Sequence, residues 1–318
     1  MISSNRAAWA IALAATIFGA AHAQDYPIRP VRIVTATPGG GNDYLARIVA
    51  PPLGTVLGQQ VIVDNRPSRL VGGIVARATP DGYTLVVGGG TMQFTPLMEP
   101  ADYDLLKDYA PISQLEVSPN VLVVQPSLKV NTVQELVALA KAKPDTLHYG
   151  TGSGGGSLHL AGEMFMLATK TKIARVPYKS TGPAVLGLLT NEVQLVFATA
   201  GAVVSHIKDG KLKALGVTTI KPSGLIPGVP TVASQGLPGY DLDTIGFIMG
   251  PAKMSPNLVG RLNKHIVQIM QQSDVKERLA AGGSESVTGT PQQLFEKLKS
   301  DDTRMRALFK QIGLSADK

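Results

Sequence analysis

Cysteine is absent from the 318-residue chain, which removes disulfides, thiolate metal sites, cysteine nucleophiles and lipid attachment at an N-terminal cysteine. Aromatic residues are scarce, at 5%. No basic run is interleaved with them, so nucleic acid would find no stacking platform and is not expected as a partner. No uninterrupted apolar stretch reaches the ~20 residues that a helix needs to cross a bilayer. What is present is ordinary globular material, 44% hydrophobic and 17% charged, enough for two domains at roughly 100–200 residues each. The net charge of +7 would suit an anionic partner, although it gathers into no obvious patch.

The N-terminus carries a single positive charge in Met1 to Arg6, a nearly continuous apolar run from Ala7 to Ala20, and small residues on either side of His22 in Ala21-His22-Ala23. This order predicts a secretory signal over residues 1–23, cleaved after Ala23. Export without a membrane anchor or cysteines points to a bacterial periplasm.

Along the remaining chain, strand and helix signals alternate, the pattern of an α/β protein with mostly parallel sheets covered on both faces. Strands are expected at Val31 to Val34, Val61 to Val63, Thr84 to Val87, Val121 to Val124, Leu147 to Thr151, Ala174 to Val176, Val193 to Phe197, Leu212 to Thr218 and Ile245 to Pro251. Three helical patterns close the chain between Pro256 and Ile312. Pro51-Pro52 should end or sharply kink the first helix, because neither proline donates the interior hydrogen bond. The proportions predict two lobes, residues 24–120 with 247–318 and residues 121–246. Each would be a mixed, mostly parallel sheet flanked by helices. Two crossovers would join them, with Ile245 to Pro251 paired to Val121 to Gln125 as a hinge beside a cleft.

Two segments are suited to holding a ligand. Thr37-Pro38-Gly39-Gly40-Gly41-Asn42-Asp43 follows the first strand and opens a helix. Gly150-Thr151-Gly152-Ser153-Gly154-Gly155-Gly156-Ser157 does the same in the second lobe. Glycines let backbone amides approach closely, and a helix start offers unpaired N–H groups and partial positive charge to an anion. Gly150, Gly152 and Gly155 also satisfy the dinucleotide fingerprint. The acidic residue that should follow ~20 positions on is missing, with Arg175 and Lys179 in its region, so no nucleotide cofactor is expected. Neither glycine run continues as a phosphate loop, and Ser153 and Ser157 are not in a nucleophile elbow. The histidines form no metal-ligand pair, so no metal is expected, and His159 is read as a packing residue.

The chain resembles the substrate-binding proteins of tripartite tricarboxylate transporters, the Bug receptors, from Tyr26-Pro27 to about Leu314. The markers include Pro38-Gly39-Gly40-Gly41-Asn42-Asp43, Asp64-Asn65-Arg66-Pro67, Pro80-Asp81-Gly82-Tyr83, His159-Leu160-Ala161-Gly162-Glu163 and Val176-Pro177-Tyr178-Lys179. The resemblance implies a Venus-flytrap receptor of type II-like form, monomeric and without enzymatic activity, that closes on a small organic anion, a mono- or dicarboxylate. It would deliver the anion to integral-membrane transporter subunits. In the first lobe it implies contacts from Thr37, Gly39, Gly40, Gly41, Asn42, Asp43 and Thr91. In the second it implies Thr151, Ser153, Gly154, Gly155, Ser157, Tyr178, Ala198 and Thr199.

Three departures from the family pattern bear on the ligand. Pro67-Ser68-Arg69 replaces a glycine-rich turn, and the Arg69 guanidinium would suit a second carboxylate as a clamp. Ala198-Thr199-Ala200 stands where an acidic or amide pair is usual, which argues against amino acids. The third is the Pro51-Pro52 break. A periplasmic sensor for a membrane kinase would share all these features, and a secreted hydrolase is opposed by the missing nucleophile elbow.

Overall fold

The structure is a computed structural model that describes residues 26–152, 157–311 and 313. The expected signal over residues 1–23 and the loop residues Ser153, Gly154 and Gly155 lie outside the described residues. Short β-branched runs form β1 (Val31–Thr35), β2 (Val61–Asn65) and β3 (Thr84–Gly88), with β1 parallel to both of the others. Each strand feeds a helix: α1 (Gly41–Leu57), α2 (Ser68–Ala76) and α3 (Gly90–Met98). The long β4 (Tyr109–Val124) leads into α4 (Val133–Ala142), β5 (His148–Thr151), α5 (Ser157–Thr169), β6 (Ala174–Pro177), α6 (Thr181–Leu189), β7 (Leu195–Thr199), α7 (Ala200–Lys208) and β8 (Lys213–Val217). The chain returns through β9 (Asp243–Pro251) to α8 (Pro256–Met270), α9 (Ser273–Ala281), β10 (Glu285–Ser286) and α10 (Pro291–Gln311).

The strands form one connected path, β2-β1-β3-β9-β4-β7-β5-β6, with β8 and β10 paired to β4. Both crossing strands are thus central to the molecule. The pairing expected for the hinge is corrected in its register. β9 runs antiparallel to Tyr109–Pro119 of β4, while Asn120 to Val124 pair with β7, and Val121 to Val124 also with β8. A single 16-residue strand therefore pairs first with β9 and then with β7 and β8. Pro111 and Pro119 interrupt the apolar alternation of its first part and hid it from the sequence pattern.

The helix α1 also departs from expectation, because it runs through both prolines to Leu57. The absent N–H of Pro51 leaves the Arg47 carbonyl without its helical donor, and the Arg278 guanidinium lies 3.5 Å from that oxygen. Around the prolines, Ile48, Val49 and Leu53 are wholly buried, so packing holds the turn that local propensity would break.

One core lies between α1, the first sheet and α8, with Ile33, Leu45, Ile48, Leu85, Ile248 and Ile266 fully buried. A second gathers Leu122, Tyr149, Leu160, Phe165, Phe197 and Tyr240. Phe94 and Leu97 of α3 and Met305, Leu308 and Phe309 of α10 pack into this second core. Beside the crossing strands, Lys297 lies 3.1 Å from both Asp243 and Asp301, and Arg304 reaches Asp241 at 2.8 Å and Asp301 at 2.9 Å. These pairs tie α10 to the segment that enters β9.

The start of α7 and the turn after α9 also touch backbone to backbone. A Cβ placed on Gly283 (φ +81°) would sit 2.2 Å from the Gly201 nitrogen at the start of α7. The Ser118 hydroxyl of β4 donates to the Gly283 carbonyl at 3.3 Å, which fixes this contact against the crossing strand.

Candidate functional site

A strand that ends at a helix leaves the first helical N–H groups without intrahelical partners. Here α1, α2, α3 and α5 all begin at one cavity of about 380 Å³, lined by Gly40, Gly41 and Asn42, by Ser68, by Gly90 and Thr91, and by Ser157. That volume falls within the roughly 300–1,000 Å³ usual for ligand pockets. No side chain caps α1, α2 or α3. Leu70 of α2 and Met92 of α3 already donate to backbone carbonyls, and the aligned peptide dipoles together with the remaining first-turn amides favour an anion at the cavity.

The glycine turn before α1 is held by a buried acid. Asp43, 4% exposed, accepts from the Gly39 N–H at 2.9 Å, from Arg47 Nε at 2.9 Å and from Asn65 Nδ2 at 2.8 Å. Asn65 Nδ2 also donates to the Ala36 carbonyl at 2.6 Å, so strand β2 fastens both ends of the turn. Gly39 has φ +82°, a conformation that favours glycine. Burial pushes the Asp43 carboxyl up, but the Gly39, Asn65 and Arg47 hydrogen bonds together outweigh it and hold the group below the usual carboxylate range.

Asp43 is thus a support for the turn, its oxygens already committed. Because its folded pKa is depressed, its stabilisation is complete above the unfolded value near 3.9 and is lost as pH falls through the folded value. Asp43→Asn is expected to destabilise the protein by about 1.5–3 kcal/mol at neutral pH. Urea melts should show that difference unchanged down to about pH 5 and shrinking below about pH 4. A difference independent of pH would show that the charge is not what matters.

Of the residues expected in the site, Thr37, Gly40, Gly41, Asn42, Thr91 and Ser157 line the cavity, while Gly39 and Asp43 stand behind it. Four others are placed elsewhere. Thr151 is fully buried, its hydroxyl turned to the Gly152 carbonyl at 3.1 Å. Tyr178 lies along Gly150 and Gly187, where any added Cβ would meet its ring or hydroxyl, and burial pushes its phenol up to about 12. Ala198 is fully buried with Val121, Val196 and Val203 in an apolar cluster. Thr199 ends β7 and precedes α7 without capping it. Ser153, Gly154 and Gly155 fall outside the described residues.

Arg69 is exposed on α2, and its neighbour Ser68 is the residue that meets the cavity. His159 is buried, 3.3 Å from Glu163 and 3.0 Å from Arg175 Nη1. The His159 hydrogen bond comes first among the interactions that hold Glu163 below the usual range, against the opposing effect of burial.

Sequence reasoning missed part of the lining. Phe94, Thr95 and Met98 of α3 and Thr244 of β9 line the cavity, and nothing in the sequence distinguishes them from packing residues. The Thr244 hydroxyl is buried and has no hydrogen-bond partner among the described residues. A Cβ on Gly90 would lie 3.2 Å from Thr244 Cγ2 and 3.3 Å from Phe94 Cε2, so these two side chains face one small region of the wall.

Comparison with known proteins agrees with a ligand receptor. BugT of Bordetella pertussis is 34% identical over 300 residues, covering 92% of this chain and 91% of BugT. Among solved structures, the R. palustris protein Rpa4515 with adipate is 29% identical with a TM-score of 0.76, covering 92% of this chain and 99% of its own. MatC from Rhodopseudomonas palustris with bound malate is 25% identical with a TM-score of 0.72, over 89% of this chain and 99% of its own. Residues 45–314, which span every element from within α1 through α10, match the sequence pattern of the tripartite tricarboxylate transporter family receptor, and with that match the chain belongs to this family of solute-binding receptors.

Proposed function

We propose that the protein is a periplasmic receptor for a small organic carboxylate, mono- or dibasic, which it binds between its lobes and delivers to an integral-membrane transporter. The single observation that carries the anion is the meeting of α1, α2, α3 and α5 at one cavity, with no side chain capping the first three of them. Bound adipate in Rpa4515 and bound malate in MatC support the carboxylate class. In this reading the lobes are residues 24–120 with 247–318 and residues 121–246, and the receptor works as a monomer by binding and release without catalysis.

The test is a thermal-shift screen of organic acids, amino acids and sugars. Acids are expected to stabilise first, by about 2.7 kcal/mol at 100 times the Kd. Stabilisation by sugars with none from acids would reverse the assignment, and unchanged acid uptake in a deletion strain would remove the transport role.

Export is proposed through cleavage after Ala23. Trp9 is the only tryptophan, so material recovered from the periplasm should fluoresce as a tyrosine-only protein. Tryptophan emission there would count against cleavage.

A further inference from the structure

A carboxylate anchored at the helix starts leaves the rest of the ligand to the remaining lining of the cavity. Asn42, Ser68, Thr91 and Ser157 line it from the first turns of α1, α2, α3 and α5, so these polar side chains stand with the anion site. Among the described lining residues, only Ala36, Phe94 and Met98 carry apolar side chains. Gly90, Phe94 and Met98 recur at every fourth position and so share one face of α3. Phe94 is 6% exposed and belongs to the second core with Leu97, whereas Met98 is only partly buried against that core. The accessible apolar surface that α3 offers is therefore chiefly the Met98 thioether. The helix behind it is anchored: the Met92 carbonyl, deprived of its helical donor by Pro96, accepts from the Tyr103 hydroxyl at 2.9 Å.

We propose, building on the carboxylate-receptor reading, that Met98 selects the ligand by the length of its apolar body, so that the receptor takes a chain of about six carbons or more, or an aromatic ring, over a short hydroxy acid. Met98 is the last residue of α3, about 12 Å along the axis from Gly90, and its side chain leans back over the preceding turn of about 5.4 Å. A ligand must therefore extend about 7 Å beyond the helix start to cover the thioether. A four-carbon acid falls short of it and leaves that surface to water. The flexible, polarisable thioether can pack equally against a chain or a ring. The selection applies to acids with one carboxylate or two, since four helix starts meet the cavity.

Calorimetry at neutral pH with two length series decides it: butanoate, hexanoate and octanoate, and succinate, adipate and suberate, with phenylacetate as the ring probe. In whichever series binds the tighter, affinity is expected to rise at least about tenfold from the four-carbon to the six-carbon acid, at about fourfold for each buried methylene. Phenylacetate should exceed butanoate by a similar factor. Met98→Gln keeps the length and helix propensity of the side chain but makes its tip polar. It should weaken the six-carbon acid about fivefold to tenfold and leave the four-carbon acid within about twofold. Met98→Leu retains apolar surface and should hold the six-carbon acid within about threefold of the parent. Each variant is read as the ratio of its six-carbon to its four-carbon affinity, so a general loss from altered packing of α3 cancels, and a melting curve records that it is folded. Affinity that is flat or falls from four carbons to six overturns the proposal. So does a ratio unchanged in Met98→Gln, or one reduced as far in Met98→Leu as in Met98→Gln. All of these results leave the receptor reading standing, whereas a protein stabilised by sugars and by no acid would end that reading.

Discussion

Gly40→Val is expected to weaken every ligand by more than about 100-fold, or about 2.7 kcal/mol, while leaving the folded protein almost as stable as before. Gly40 lies at the start of α1 with an extended backbone, φ −87° and ψ 167°, which β-branched residues adopt readily. An added Cβ would come no closer to its surroundings than 3.6 Å, to the Thr37 carbonyl. Gly40 is the N-cap of α1, and Val is a poorer N-cap than Gly, so the substitution costs the fold about 0.5–1 kcal/mol. Yet Gly40 lines the cavity, and two methyl groups there would hold a carboxylate away from the first-turn amides. Calorimetry for binding and a urea melt for stability separate the two effects. Binding that survives in the folded variant would mean that the anion does not sit at this helix start. Gly39 is a poorer test, since its φ of +82° would add backbone strain to any substitution.

Gly283→Ala should cost about 2–4 kcal/mol of stability, because two separate penalties act at once. Its backbone lies at φ +81°, and its Cβ would fall 2.2 Å from the Gly201 nitrogen and 2.5 Å from the Gly201 Cα. Both neighbours are backbone atoms, so no side chain can swing aside. The first penalty can be measured alone in Gly228→Ala, where φ is +83° and nothing lies within 4 Å of the added carbon. That control should lose about 1 kcal/mol. The excess in Gly283→Ala then reports the approach of α7 to the turn after α9. If the two variants lose the same amount in urea unfolding, α7 and this turn are not in firm contact.

The alternation of strands and helices was legible because short aliphatic runs and glycine or proline turns obey local rules. The nine strands expected at Val31 through Pro251 all have counterparts, displaced by a residue or two at most ends. The exceptions were decided by distant parts of the chain. β4 extends back to Tyr109 because β9 supplies a partner, although Pro111 and Pro119 argue locally against a strand. The first helix continues through Pro51-Pro52 because α8, α9 and the sheet cover it, a tertiary effect outside the reach of a proline rule.

The site was half legible for the same reason. Glycine-rich turns at strand ends announce a close backbone approach, and Gly40, Gly41 and Asn42 line the cavity. Thr244 and Met98 carry no such mark, since a threonine in a strand and a methionine in a helix are ordinary packing residues. Asp43 looked like a ligand contact from its place in the turn. Only the positions of Asn65 and Arg47, brought in from β2 and from one turn along α1, show its carboxylate already filled.

The order of the strands sets when the polypeptide can fold. β3 needs β9 as its neighbour, with Val86 opposite Met249, and those partners are separated by about half the chain. The first sheet therefore cannot close as it leaves the ribosome, and loop closure over that distance is slow compared with helix or hairpin formation. Until β9 and the helices beyond it have been made, the N-terminal third is a set of βα units lacking a central strand. A protein built this way stays open to chaperones and to threading through a narrow channel, and it acquires its resistance to unfolding only after its last third has arrived.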